Sequence, residues 1–203
     1  PYGSAKEEYR RVYAEIKQCV EAVADKLSRE GVADIVMGGS MIGPAERAAT
    51  GLEGFPTGPG RFVIGLGSDH AGFDMKKEVR RYLEEKGYPV RDFGVFSADP
   101  VDYPDVAYEV GRAVEKGEVG RAILICGTGI GMCIAANRFR GIRAAACSEP
   151  VSARLSRAHN DSNVLCLGAR LIGPEMARAI VDAWISTDFE GGRHARRVGK
   201  LGT

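Results

Sequence analysis

The sequence predicts an α/β fold: a doubly wound, parallel five-stranded sheet between layers of helices, with an N-terminal helical extension. Three observations predict it. From residue 61 onward, short apolar runs alternate with stretches of helical period. The apolar runs are continuous rather than alternating, as in strands buried on both faces of a parallel sheet. Glycines such as Gly87 and Gly117 close the helical stretches.

The elements follow in order. Tyr9, Val12, Tyr13, Ile16, Val20, Val23, Ala24 and Leu27 recur at three- and four-residue steps. They make residues 5–30 an amphipathic helix, with Gly31 as its stop. Residues 31–60 are rich in Gly, Pro, Ala and Thr and end in Phe55-Pro56-Thr57-Gly58-Pro59-Gly60, a linker composition. The chain therefore divides into residues 1–60, the extension and linker, and 61–203, the α/β domain. In the second part, strands are expected at Phe62–Gly67, Tyr88–Phe93, Ala122–Cys126, Gly141–Cys147 and Asn163–Leu167. Helices are expected at Phe73–Lys86, Pro104–Lys116, 130–138, Pro150–Ala158 and Pro174–Ser186.

Composition narrows the function. The 28 Lys and Arg nearly balance 27 Asp and Glu, so no sequence-wide field attracts nucleic acid, and any anion site must be local. No apolar run reaches the roughly 18 residues of a membrane helix, and no signal-peptide pattern opens the sequence. The five cysteines are odd in number and form no C-x-x-C pair. They read as thiols in a reducing cytoplasm, not as a disulfide framework or a zinc site.

In doubly wound folds, ligands bind beyond the carboxyl ends of the strands. The loop after the first strand is Gly67-Ser68-Asp69-His70-Ala71-Gly72, and the second leads to Asp102-Tyr103-Pro104. The third strand opens into Cys126-Gly127-Thr128-Gly129-Ile130-Gly131. Its glycines let backbone amides approach a negative oxygen, although a tight turn without ligand would show the same glycines. The thiol adds a second element, because a cysteine beside a helix start favours its thiolate. A base next to an oxyanion site suits proton abstraction beside a carbonyl. The helix before the fifth strand ends in His159-Asn160-Asp161, expected to gather with these loops. The tail Gly191-Gly192-Arg193-His194-Ala195-Arg196-Arg197 is a basic cluster suited to phosphate.

Five blocks together resemble the family of ribose-5-phosphate isomerase type B and galactose-6-phosphate isomerase. They are Ser68–Gly72, Asp102–Pro104, Ile125–Gly131, Ser156–Asn163 and Glu190–Arg197, in an order that fits across residues 61–200. The resemblance implies an aldose–ketose isomerase acting through an enediolate. It implies Cys126 as the base between C1 and C2, and His159 as the acid that opens the furanose ring, with Thr128 nearby. It implies Gly127, Thr128, Gly129, Ile130 and Gly131 as the oxyanion loop. Asp69, Tyr103 and Asn160 would contact sugar hydroxyls. His70, Arg170, Arg193 and Arg197 would hold the phosphate, with His194 adjacent. One branch of the family uses a glutamate where this sequence has Ile130, so the chain resembles the thiol branch. The family also implies a homodimer with shared active sites, and leaves pairing into a tetramer open. The absence of metal-ligand spacing and of a redox change leads to no expected metal or cofactor, and the charge balance and run lengths to no nucleic acid or membrane partner. Six-carbon substrates, galactose 6-phosphate or allose 6-phosphate, and a non-catalytic sugar-phosphate-binding module stay open. A nucleotide-dependent oxidoreductase is a poorer fit: Asp92 stands where a ribose-binding acid would, but His70 replaces the third glycine of G-x-G-x-x-G.

Residues 1–60 fall outside the resemblance and are expected to supply no catalytic group. Deleting them should change stability or oligomer size more than turnover at saturating substrate. A deletion protein that is stable and correctly assembled but inactive would contradict this.

Overall fold

The computed structural model describes residues 62–201, so the helix expected over 5–30 and the linker lie outside the described residues. Five parallel strands form one sheet: β1 (Ile64–Ser68), β2 (Val90–Asp92), β3 (Arg121–Cys126), β4 (Ala144–Ala146) and β5 (Val164–Gly168). Their order across the sheet is β2-β1-β3-β5-β4. Every pairing is parallel. The expected doubly wound sheet is therefore observed.

The helices are α1 (Phe73–Glu85), α2 (Tyr103–Glu115), α3 (Ile130–Ala136), α4 (Pro150–Asn160), α5 (Pro174–Ile185) and α6 (Gly192–Val198). Side chains of β3 alternate between two cores, as the two-residue period of a strand requires. Ile123 and Ile125 pack with Met75, Val79 and Leu83 of α1 and Ile180, Val181 and Trp184 of α5. Ala122, Leu124 and Cys126 pack with Val106 and Val110 of α2 and Met132 and Ala136 of α3. Fully burying a side chain such as Ile123 or Leu124 contributes roughly 1.5–3 kcal/mol. Among the described residues, no helix is long and apolar enough to cross a membrane.

The two outer strands are shorter than expected. At one edge, Tyr88 N–H returns to Leu83 O (3.0 Å), and pairing starts only at Val90. At the other, Gly141 adopts φ 82° and Ile142 N–H turns back to Phe139 O (3.3 Å). Asn137 then stops α3 early and stitches it to β4: Nδ2 donates to Ala144 O (3.0 Å), and Oδ1 accepts from Ala144 N (2.9 Å). Apolarity alone cannot place these ends, because an outer strand is hydrogen-bonded on one side only.

The order reverses at β1 and β3, and the residue that follows β1 bonds to the end of β3: Asp69 N–H donates to Ile125 O (3.2 Å). That crevice is the switch point where ligands bind in such sheets.

Candidate active site

At the switch point, Cys126 ends β3 with a buried side chain, and its Sγ accepts a hydrogen bond from Gly129 N (3.1 Å). Gly129 reaches that position at φ 78°. A Cβ there would also lie 3.0 Å from the Leu167 carbonyl carbon, so glycine meets both a conformational and a packing demand. Gly131 meets a packing demand alone, since a Cβ would stand 2.9 Å from the Tyr103 ring. Arg170 is tied to the same loop by its N–H to Gly127 O (3.0 Å). Its guanidinium carbon would lie 3.6 Å from a Cβ at Gly127.

Asp69 caps the short turn His70–Gly72 by accepting from Gly72 N (3.0 Å). His70 is exposed beside it, and its Nδ1 accepts from Val101 N (3.4 Å). Thr128 and Ile130 are exposed on the loop, where Ile130 N–H points at Thr128 Oγ1 (3.4 Å). The carboxyl edge of the sheet thus gathers Asp69, His70, Tyr103, Cys126, Gly127–Gly131 and Arg170.

The other expected residues form a second cluster. His159 and Asn160 lie in the last turn of α4, which extends two residues beyond the expected end at Ala158. The rings of His159 and His194 stack in parallel, 4.3 Å between centroids and 1° between planes. Glu190 Oε2 stands 3.7 Å from Nε2 of each. Glu190 N–H donates to Ala158 O (3.0 Å), which seats the segment before α6 on the end of α4. Arg193 Nε donates to His194 Nε2 (3.3 Å). Burial, with the neighbouring His159 and Arg193, holds the His194 imidazole below its ordinary range, toward the neutral form. His159, Asn160, His194, Arg197, Val198 and Leu201 line a hollow of about 290 Å³. Arg193 and Arg197 share a helix, one turn apart, as their spacing implied.

Donor atoms of His159, Glu190 and His194 lie within 4.8 Å of one another, close enough to hold a divalent ion. Arg193 against His194 and Arg197 in the same hollow set positive charge beside that position. The cluster suits an anion better than a cation.

Within one chain the two clusters stand apart, although the sequence had placed His159-Asn160-Asp161 among the loops at the strand carboxyl ends. α4 starts beyond the carboxyl end of β4 and runs back against the strand direction, so His159 emerges at the amino edge, ahead of β5. Cys126 stands at the carboxyl edge, paired with Gly168 at the far end of β5. The five residues of β5 span roughly 16 Å. No side-chain rotation closes that gap.

Residues to which the sequence assigns no role support the second cluster. Asp161, Arg143 and Arg157 form an ion-paired group directly after Asn160. Glu190 was within a recognised block but carried no role. Asp92, the residue that an oxidoreductase would need for ribose, is instead paired with the buried Lys76 (2.6 Å) and accepts from Gly94 N (2.9 Å).

The family model described as Ribose/Galactose Isomerase matches residues 64–201. Ribose-5-phosphate isomerase B of Escherichia coli strain K12 is 55% identical over 135 residues, covering 66% of this chain and 91% of that protein. D-erythrulose-4-phosphate isomerase of Pectobacterium atrosepticum is 48% identical over 143 residues, covering 68% and 92%. The solved structure of Clostridium thermocellum ribose-5-phosphate isomerase B aligns with TM-score 0.68 at 52% identity, over 69% of this chain and 95% of that one. The Mycoplasma genitalium enzyme, solved with bound ribulose-5-phosphate, aligns with TM-score 0.67 at 41% identity, over 68% and 93%.

Proposed function

This chain belongs to the ribose/galactose isomerase family and is an aldose–ketose sugar-phosphate isomerase; from that premise we propose that it interconverts ribose 5-phosphate and ribulose 5-phosphate at a site shared between two copies of the chain. One observation carries the shared site. The thiol cluster and the imidazole cluster stand at opposite edges of one sheet. Each holds half of the expected phosphate grip: His70 and Arg170 at one edge, Arg193 and Arg197 at the other.

The surface supports a second copy at the thiol edge. Tyr103, Ile130, Ile134, Val151 and Leu171 are exposed large apolar side chains on or beside loops that leave strand carboxyl ends. Ile130 and Ile134 are one helical turn apart on α3 and are 56% and 59% exposed. Clusters of exposed apolar residues mark surfaces that another protein covers. A twofold dimer would place the His159 cluster of the partner subunit over the Cys126 loop, and would do so twice.

The chemistry then divides between the copies. His159 gives a proton to the ring oxygen as the C1–O4 bond breaks, and the anomeric hydroxyl releases its proton to water. Imidazole suits this step because it exchanges protons near neutral pH. The Cys126 thiolate takes the C2 proton of the open aldose. The C1=C2 bond forms, and the charge arriving on O1 is met by amides of residues 127–131. The thiol returns its proton to C1, the O2 proton passes to O1, and the ketose results. Holding the phosphate at one end fixes C1 and C2 against the sulfur.

Two variants separate the steps. Ribulose 5-phosphate cannot close a furanose ring, because its O5 carries the phosphate. Exchange of its C1 proton with solvent deuterium, followed by NMR, therefore needs the base but not the ring-opening acid. Cys126→Ala should lose both this exchange and ribose 5-phosphate turnover by more than roughly 100-fold, while still binding substrate. His159→Ala should lose ribose 5-phosphate turnover on the order of 100-fold and keep the exchange near its native rate. Near-normal turnover by Cys126→Ala would remove the proposed base, and equal loss in both assays for His159→Ala would remove the ring-opening assignment.

A further inference from the structure

The ring of His159 makes no hydrogen bond among the described residues; it stacks on His194 and stands near Glu190. Its aim is therefore inherited from the backbone that carries it. That backbone turns at Asp161, with φ 47° and ψ 45°. Among the described residues, Asp161 alone combines a positive φ with a side chain. Left-handed backbone is disfavoured for most residues with a Cβ and is adopted more readily by Asp and Asn, whose side chains bond locally.

Two backbone bonds close the turn, Asp161 N–H to Arg157 O (3.1 Å) and Ser162 N–H to Ser156 O (3.0 Å), and two arginines brace it. Asp161 Oδ1 accepts from Arg157 Nη1 and Oδ2 from Arg143 Nη2, each at 2.7 Å. Arg143 Nε donates to the carbonyl oxygens of Asn160 (3.1 Å) and Asp161 (2.8 Å). Arg157 Nη1 also donates to Ser162 O (2.7 Å). Arg157 is 1% exposed, and its guanidinium is fixed within the layer that Trp184 closes through Nε1 to Ser162 Oγ (2.7 Å). The peptide that follows His159 is thus fastened from α4 itself and from the residue before β4.

We propose that Asp161 is a positioning residue for ring opening: with Arg143 and Arg157 it holds the His159–Asn160 turn at the angle from which the imidazole meets the furanose oxygen. The proposal rests on His159 being the ring-opening acid. It assigns Asp161 no contact with substrate. A buried carboxylate between two guanidiniums would stabilise the fold in any case, so a positioning role needs a readout that stability does not move.

The two assays above supply one. Asp161→Asn keeps the size of the side chain and tolerates left-handed backbone, but loses the charge that both arginines grip. It should lower ribose 5-phosphate turnover about 10- to 100-fold and leave C1 exchange of ribulose 5-phosphate near native. Arg143→Ala, at a partly exposed site, should produce the same selective loss, and added guanidinium ion should restore part of it. Arg143→Ala decides the matter if Asp161→Asn does not fold. Unchanged ribose 5-phosphate turnover, or proportional loss in both assays, would overturn the positioning role. If His159→Ala shows the selective loss and these variants do not, only the role of Asp161 falls. If His159→Ala itself keeps turnover, the acid assignment falls and this role with it.

Discussion

Strand direction is the constraint on which the rest depends. All five strands run the same way, so every strand-to-helix loop opens at one edge and every helix-to-strand loop at the other. Cys126 belongs to the first kind of loop and His159 to the second. Both cores bear on β3 from opposite faces, so the sheet cannot flex to bring its edges together. This separation is the ground on which the proposed reaction draws its thiol from one chain and its imidazole from a second. The apolar side chains around the thiol edge are where such a chain would bury surface.

The two edges solve different physical problems. At the thiol edge the demand is close approach. Gly72, Gly129, Gly131 and Gly168 each sit where a Cβ would collide with backbone or a ring, at 2.5, 3.0, 2.9 and 2.7 Å. Their shared effect is a loop packed closely on the strand ends, with the Gly129 amide directed at the sulfur. At the imidazole edge the demand is charge management. Arg193 and Arg197 are exposed and available to an anion, whereas Arg157 is buried and committed to Asp161. Breaking such a buried pair by removing one partner costs about 3–5 kcal/mol. The buried guanidinium that braces the turn is thus distinct from the exposed ones proposed for the phosphate.

Much of this was legible in the sequence. Continuous apolar runs such as Ala122–Cys126 report a strand covered on both faces, and their order gives the parallel sheet. The four-residue step from Arg193 to Arg197 anticipates the helix that carries them. The ends of β4 were less legible, because Gly141 and Asn137 set them through turn geometry and side-chain bonds rather than apolarity. Asp161 was hidden for a similar reason: a positive φ at a residue with a side chain leaves no compositional trace. Its partner Arg143 lies in a different loop, and only the folded sheet brings it within 2.7 Å. The division of the site between two edges follows from strand–helix order, but reading each motif for its chemistry alone passes over the direction of the helix that carries it.

The most direct measurement of a site shared between chains mixes two inactive subunits. Cys126→Ala and His159→Ala chains, co-refolded in equal amounts, form heterodimers in which one site carries both substitutions and the other carries neither. A shared site predicts recovery of ribose 5-phosphate turnover to about a quarter of the native value, the share expected when half of the dimers are mixed and each has one intact site. Mixtures that assemble normally and remain as inactive as the separate variants would show that both groups act from the same chain, and would contradict the account.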